Sequence, residues 1–340
     1  MAARPMSPAL TLLAAALLAA APALPARAEA PTVAAAFERM VAGDYAAARA
    51  LAEPLAEAGD RDAQHLLGYL EEKGLGGPKN LERALDLYFR AASAGSADAQ
   101  FALGELAFYG DGVKQDSARA AQWYALAADN GHPPAQVRLG LLLMSGDGLA
   151  RDPVRAADLF EAAAEAGEAA GRFYLGAAYL SGDGRRQDFR KAKEHLLVAA
   201  GQGHPEAQFD LALILGGDLA GPPDPAGAAR WMRAAAEAGL PEAAVAYGLL
   251  IHDGRAGETD DSPADWFERA AEAGDPQGRF LYAVALAEGD GRARDPVAAL
   301  QWVDRALLGA AEMSPELRAS AEALRARLAA EISGRSDLRP

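Results

Sequence analysis

The chain has 340 residues, no cysteine and a formal net charge of -15. Thiol catalysis, thiolate metal sites and disulfide switches are therefore excluded, and the negative field opposes nucleic acid and anionic membrane surfaces. Abundant Ala, Leu and Gly, with few β-branched and few aromatic residues, predict closely packed helices rather than sheet.

The first element reads as an export signal. Arg4 supplies a basic start, Ala9 to Ala20 an apolar run, and Ala26-Arg27-Ala28 a small-residue cleavage pattern before Glu29. The run is too short for a membrane span, although an uncleaved anchor is the alternative reading. No Cys follows for lipid attachment. Cleavage near Ala28 predicts a periplasmic or secreted protein. The removed segment (1–28) carries Arg4 and Arg27 and no acid, so the charge becomes -17. No second apolar run is long enough to cross a bilayer.

Residues 29–60 read as an N-terminal helical cap, with Ala42-Gly43-Asp44-Tyr45 between two helices. A repeat then begins at Arg61 and runs to about residue 311. One glycine column falls at Gly59, Gly95, Gly131, Gly167, Gly203 and Gly239 in steps of 36, then at Gly274 and Gly309 in steps of 35. A second column, nine residues on, reads Gly68, Gly104, Gly140, Gly176, Ala212, Gly248 and Ala283. A third reads Leu87, Trp123, Leu159, His195, Trp231, Trp266 and Trp302, and it holds all four tryptophans. Such a period means a stack of one supersecondary unit.

Each unit reads as two helices, for example 98–109 and 117–130. Gly131 ends the second with a residue free to turn left-handed. The Gly104 column lies inside a helix, where Gly costs ~1 kcal/mol relative to Ala. Only Ala replaces it, so size is limited there, and two helix backbones are expected to cross closely. Gly-x-Gly loops at Gly74, Gly110, Gly146, Gly182 and Gly289 join the helices of a unit. Asp152-Pro153, Asp224-Pro225 and Asp295-Pro296 read as N-caps followed by Pro at N1. The loop is read as a turn. It lacks the strand and Gly-Lys-Ser/Thr of a phosphate cradle, and it has too few carboxylates for calcium. Ser314-Pro315-Glu316 starts a C-terminal capping helix over 312–333, leaving a tail at 334–340.

The pattern resembles the Sel1-like repeat family, a relative of tetratricopeptide repeats. The second unit carries the match in Ala99-Gln100, Leu103-Gly104, Tyr109, Gly110-Asp111-Gly112-Val113, Asp116, Ala120, Trp123-Tyr124, Ala127-Ala128 and Gly131. The resemblance covers Arg61 to about Gly309, some seven units, and departs most in the loops of units five and six. It implies an all-α right-handed superhelical solenoid with a concave binding face and a cap at each end. It also implies a non-catalytic scaffold or regulator whose partner is a protein or peptide, such as an envelope sensor or assembly protein. Some cysteine-rich relatives are linked to penicillin binding or β-lactam hydrolysis, so a cell-wall or β-lactam hydrolase is the alternative.

The residues offer no catalytic constellation. His-Glu-x-x-His, Ser-x-x-Lys and Gly-x-Ser-x-Gly are all missing. His132 and His204 share the slot after a helix-ending Gly and read as turn residues rather than a metal pair. His195 reads as packing, and His65 and His252 have no ligand-like company. No catalytic, cofactor-binding or metal-binding residue is expected. The tryptophan column reads as packing between units, with a sugar-binding stripe as the alternative.

Two columns of the first helix vary freely. One reads Leu66, Ala102, Arg138, Tyr174, Asp210, Ala246 and Leu281, and the other Tyr69, Glu105, Leu141, Ala177, Leu213, Leu249 and Val284. They lie three apart, hence on one helix face. They are either merely exposed or the partner-facing surface. The second reading selects Tyr69, Glu105, Arg138, Leu141, Tyr174, Asp210 and Leu213 as binding residues. Replacing Arg138 and Tyr174 is then expected to weaken binding with little effect on melting.

Overall fold

The computed structural model describes residues 32–336. The expected leader and its cleavage pattern near Ala28, like residues 337–340, lie outside the described residues. Among these, 17 helices and no strands occur. They fall into two compact units, divided between Ser96 and Ala97.

The first unit holds α1 (Val33–Val41), α2 (Tyr45–Glu57), α3 (Arg61–Lys73) and α4 (Leu81–Ser93), each packed on its predecessor. Thr32 and Asp44 cap the two helices of the N-terminal pair by accepting backbone N–H bonds. Burial here is partly ionic. Glu71 is 1% exposed and accepts from Arg49 and from Arg83 Nη1, the latter at 2.9 Å. Tyr88 donates its hydroxyl to Glu72 at 2.9 Å.

The second unit holds six further helix pairs and a last helix. Its first helices are α5 (Ala97–Tyr109), α7 (Pro133–Ser145), α9 (Ala169–Ser181), α11 (Pro205–Gly216), α13 (Pro241–His252) and α15 (Pro276–Glu288). Its second helices are α6 (Ser117–Asp129), α8 (Pro153–Glu165), α10 (Phe189–Gly201), α12 (Pro225–Glu237), α14 (Pro263–Glu272) and α16 (Pro296–Leu308). The capping helix α17 (Pro315–Ser336) packs on α16 and α15. Ser314 Oγ accepts from Leu317 N at 3.2 Å, which is the N-cap read from the sequence. The helix runs to Ser336, past the expected end at residue 333.

Aspartate caps recur as predicted. Asp152 Oδ1 accepts from Arg155 N at 3.1 Å, Asp224 from Gly227 N at 2.8 Å and Asp295 from Ala298 N at 2.9 Å, with Pro following each. His132 and His204 also cap helices. Their Nδ1 atoms accept from Ala135 N at 3.2 Å and Ala207 N at 3.4 Å, and their rings stack on Phe101 and Phe173. The Gly-x-Gly loop is a turn with two separate jobs. Gly146 ends α7 at φ 79°. Gly148, at φ 75°, lies so close to the Ser117–Ala118 backbone at the start of α6 that no Cβ fits.

The in-helix glycine column works differently from the expected backbone crossing. A Cβ on Gly104 would lie 2.5 Å from Cε1 of Tyr124; on Gly68 it would lie 2.8 Å from Tyr88, and on Gly248 2.6 Å from Phe267. Each of these glycines is therefore a slot for a ring from the second helix of its own repeat, whereas Gly176 makes room for Leu196 in the same way. Where the slot holds Ala212 or Ala283, the same core holds the narrower Met232 or Val303 instead. At these positions, Gly176 with Leu196 excepted, width on one helix is traded against width on the other. Trp266 and Trp302 pack edge-on against Tyr247 and Tyr282 of the first helices, and Trp123, Trp231 and Trp302 are half-buried. Trp266 is 3% exposed, edge-on to Tyr247 at 5.0 Å and covered by the Arg269 guanidinium at 4.4 Å.

Candidate partner-binding face

The two variable columns divide by unit. In the first unit Leu66 is 1% exposed and belongs to the core, so it is no surface residue, whereas Tyr69 is 38% exposed. In the second unit every position of both columns is half-buried except Leu213, which is 55% exposed. The face is therefore neither core nor free surface. It is a continuous semi-sheltered strip along the first helices.

Its first part is polar and internally satisfied. Arg138 on α7 reaches back to α5, with Nε 3.0 Å from Glu105 Oε1 and Nη2 3.1 Å from both Glu105 Oε2 and the Tyr109 hydroxyl. Tyr124 of α6 donates to Glu105 Oε1 at 2.6 Å. Burial pulls the Arg138 pKa down, but Glu105, Tyr109 and Tyr124 outweigh it and leave the guanidinium held charged. Burial and the Glu105 carboxylate both push the Tyr124 phenol up.

The strip then turns aromatic and acidic. Tyr174 on α9 stacks on Phe160 at 5.2 Å and meets Phe173 edge-on at 4.9 Å. Its phenol is raised by burial first and by Glu206 second, with Arg138 opposing. Leu141 is half-buried against the same core cluster. Asp210 on α11 makes no hydrogen bond or ion pair among the described residues. Burial and then Glu206, one turn away, raise its pKa. The structure thus joins Glu105 and Arg138 directly and places Tyr174 in the field of both Arg138 and Glu206. Tyr69 belongs to the first unit. Freedom to vary did not mean freedom from packing, because Arg138 is held by Glu105 and Tyr174 leans on Phe160.

Sequence reasoning missed the concavity on this strip. Beyond Leu213 a cleft of about 560 Å³ opens between α11, α12 and α13, lined mainly by apolar groups including Leu213, Met232, Ala246, Leu249 and Leu250. Asp253 and Arg255, from the aberrant sixth-repeat loop, stand at its rim. Its origin was readable. The slot filled by Glu72, Phe108, Met144 and Leu180 in the preceding repeats is Gly216 here. A Cβ on Gly216 would meet only Ala228 Cβ, at 3.9 Å. In this repeat one bulky side chain has been removed, and the space remains.

No group of three or more His, Asp or Glu side chains suited to a metal ion occurs among the described residues. No described helix is long and apolar enough to cross a membrane.

Comparison with known proteins gives a consistent family. The Sel1 repeat model matches residues 61–96, 97–132, 133–168, 169–204, 205–240, 264–275 and 276–308. The unmatched stretch 241–263 takes in α13 and the aberrant loop after it, and the short sixth match falls on α14. A crystal structure of a Sel1 repeat protein from Oxalobacter formigenes is similar at 30% identity and TM-score 0.66, covering 71% of this chain and 97% of that one. A protective antigen of uropathogenic Escherichia coli strains, described as displaying an SLR fold, is similar at 29% identity and TM-score 0.70. That match covers 82% of this chain, but the chain spans only 64% of the antigen. No match is found among curated proteins. Proteins of this repeat class generally mediate protein–protein interaction, and their scaffold is typically non-catalytic. With seven matched repeats packed as an all-α solenoid, the chain belongs to the Sel1 repeat family.

Proposed function

We propose that this chain is an exported scaffold or regulator, without catalysis of its own, that holds a partner protein or peptide along the first-helix face of its second unit. One observation carries the reading. In the second unit the two columns that the repeat does not fix form one strip, half-buried except at the exposed Leu213, with an apolar cleft beside that residue. A sheltered strip of changing chemistry suits one extended ligand read at several points. The export signal at residues 1–28 supports an envelope or extracellular setting, so the partner is an envelope sensor or assembly protein.

The test is affinity capture by the full-length protein from detergent-solubilised envelope of the source organism, with an Arg138→Ala variant in parallel. Alanine is used because Arg138→Glu would set a second carboxylate against Glu105. A partner retained by the wild type and depleted in the variant supports the reading. Equal capture by both, or capture by neither, contradicts it.

A further inference from the structure

The cleft and the carboxylates beside it carry a statement about what kind of partner fits. The cleft floor is aliphatic, and its volume of about 560 Å³ exceeds the one side chain that Gly216 withholds. Leu213, on its lip, is one helical turn (~5 Å) from Asp210 on the same face of α11. Asp210 and Glu206 lie one turn apart again, and neither has a cation. Glu206 Oε2 lies 3.2 Å from His204 Nδ1, but that nitrogen accepts the Ala207 N–H, and burial lowers the ring's pKa. A neutral cap offers the carboxylate no charge. Asp210 and Glu206 thus stand without a paired cation one and two helical turns from Leu213 on the lip, while at the rim itself Asp253 and Arg255 offset each other. Arg138 pairs with Glu105 and is not available to either acid.

We propose that the cleft between α11 and α13 is the anchoring subsite for a cationic amphipathic peptide segment of the partner. A bulky aliphatic or aromatic side chain enters the space left by Gly216, and a Lys or Arg within three or four positions of it pairs with Asp210 and Glu206. Opposite charge is the argument for this occupant over an acidic or purely apolar one. The proposal rests on the partner-binding reading above and narrows it.

The experiment is selection of a random 12-residue displayed-peptide library on the full-length protein, followed by fluorescence anisotropy with the selected peptides. Three variants are measured: Gly216→Leu, Leu213→Asp and Asp210→Asn. Gly216→Leu restores the bulk found at this slot in earlier repeats, so it raises the melting temperature while abolishing binding. That combination separates a filled site from a misfolded protein. Leu213→Asp abolishes binding with melting near that of the wild type. Asp210→Asn weakens Lys-containing peptides by ~10-fold, and norleucine in place of that Lys removes the difference. Selected peptides that are acidic or lack a bulky residue overturn the proposal, as does binding unchanged in Gly216→Leu. Peptides that depend on Arg138 but not on Gly216 overturn the cleft assignment and leave the first-helix face standing. Selection of no peptide at all contradicts both.

Discussion

Substituting Gly104 by Ala sets two known effects against each other. Alanine in a helix interior is favoured over glycine by ~1 kcal/mol. Against that, the new Cβ would sit 2.5 Å from Cε1 of Tyr124, a ring that is fully buried and tied by its hydroxyl to Glu105 at 2.6 Å. The ring cannot rotate away without leaving its hydrogen bond, so overpacking costs ~2–3 kcal/mol. The steric term wins by ~1–2 kcal/mol, and a domain of this size shifts by ~2–4 °C per kcal/mol. Gly104→Ala should therefore lower the melting temperature by ~2–8 °C in circular dichroism or calorimetry. Tyr124→Met costs ~2–3 kcal/mol alone, through lost volume and the lost hydroxyl bond. The double variant recreates the Ala212 and Met232 pairing, so the two losses should fall short of additivity by ~1–2 kcal/mol. A Gly104→Ala protein that melts higher than the wild type, or a double variant whose losses simply add, would refute the ring-slot reasoning.

The two kinds of turn glycine should also separate. Gly131 has φ 77° and nothing near its missing Cβ, whereas Gly148 adds backbone contact to the same conformation. Gly131→Ala should cost ~1–2 kcal/mol in denaturant melts, and Gly148→Ala clearly more; equal losses would contradict the close approach. Neutral His204 acts as a cap, and burial lowers its pKa, with Glu206 and Glu168 opposing. The unfolded chain therefore binds the proton more readily, so the contribution is complete above ~6.5, the unfolded value, and fades as pH falls towards the folded one. Between pH 7.5 and 5.5 the melting temperature of the wild type should drop more than that of His204→Asn, whose cap has no proton to gain; parallel slopes would sink this assignment. His195, also lowered by burial and then by Arg172, acts in the same direction in both proteins, and Asp210 and Asp275, raised by burial, act in the opposite one. Replacing Arg138 and Tyr174 together, which the sequence suggests is nearly neutral, should instead destabilise by ~2–4 kcal/mol. The reason is that Tyr174 stacks on Phe160 and Arg138 makes three polar contacts; an unchanged melt would restore the simpler view of these columns.

Much of the fold was legible because it is written in residue types that do one job. Aspartate before proline can only start a helix here, and Gly-x-Gly between apolar runs can only turn. The ring slot was half legible. The Gly104 column announces a size limit, but its apolar partners Tyr88, Tyr124, Phe160, Leu196, Met232, Phe267 and Val303 mix aromatic and aliphatic types, so the column hides beside the more conspicuous tryptophans. The candidate face was found by its variability, yet variability alone did not separate a buried Leu66 from an exposed Leu213. Arg138 and Glu105 lie 33 residues apart in different columns, and only packing shows that they are a pair. The cleft was missed because it is made by an absence, at Gly216, within a helix that otherwise follows the repeat.

The central claim is that a partner lies along the first helices of the second unit. Site-specific photocrosslinking tests it directly, with p-benzoylphenylalanine placed at Leu141 and Leu213 on that face and at Val154 and Leu197 on second helices, which are 59% and 50% exposed. The account predicts a crosslinked adduct of one defined mass from Leu141 and Leu213 and none from Val154 and Leu197. Adducts from the second-helix positions alone would contradict it.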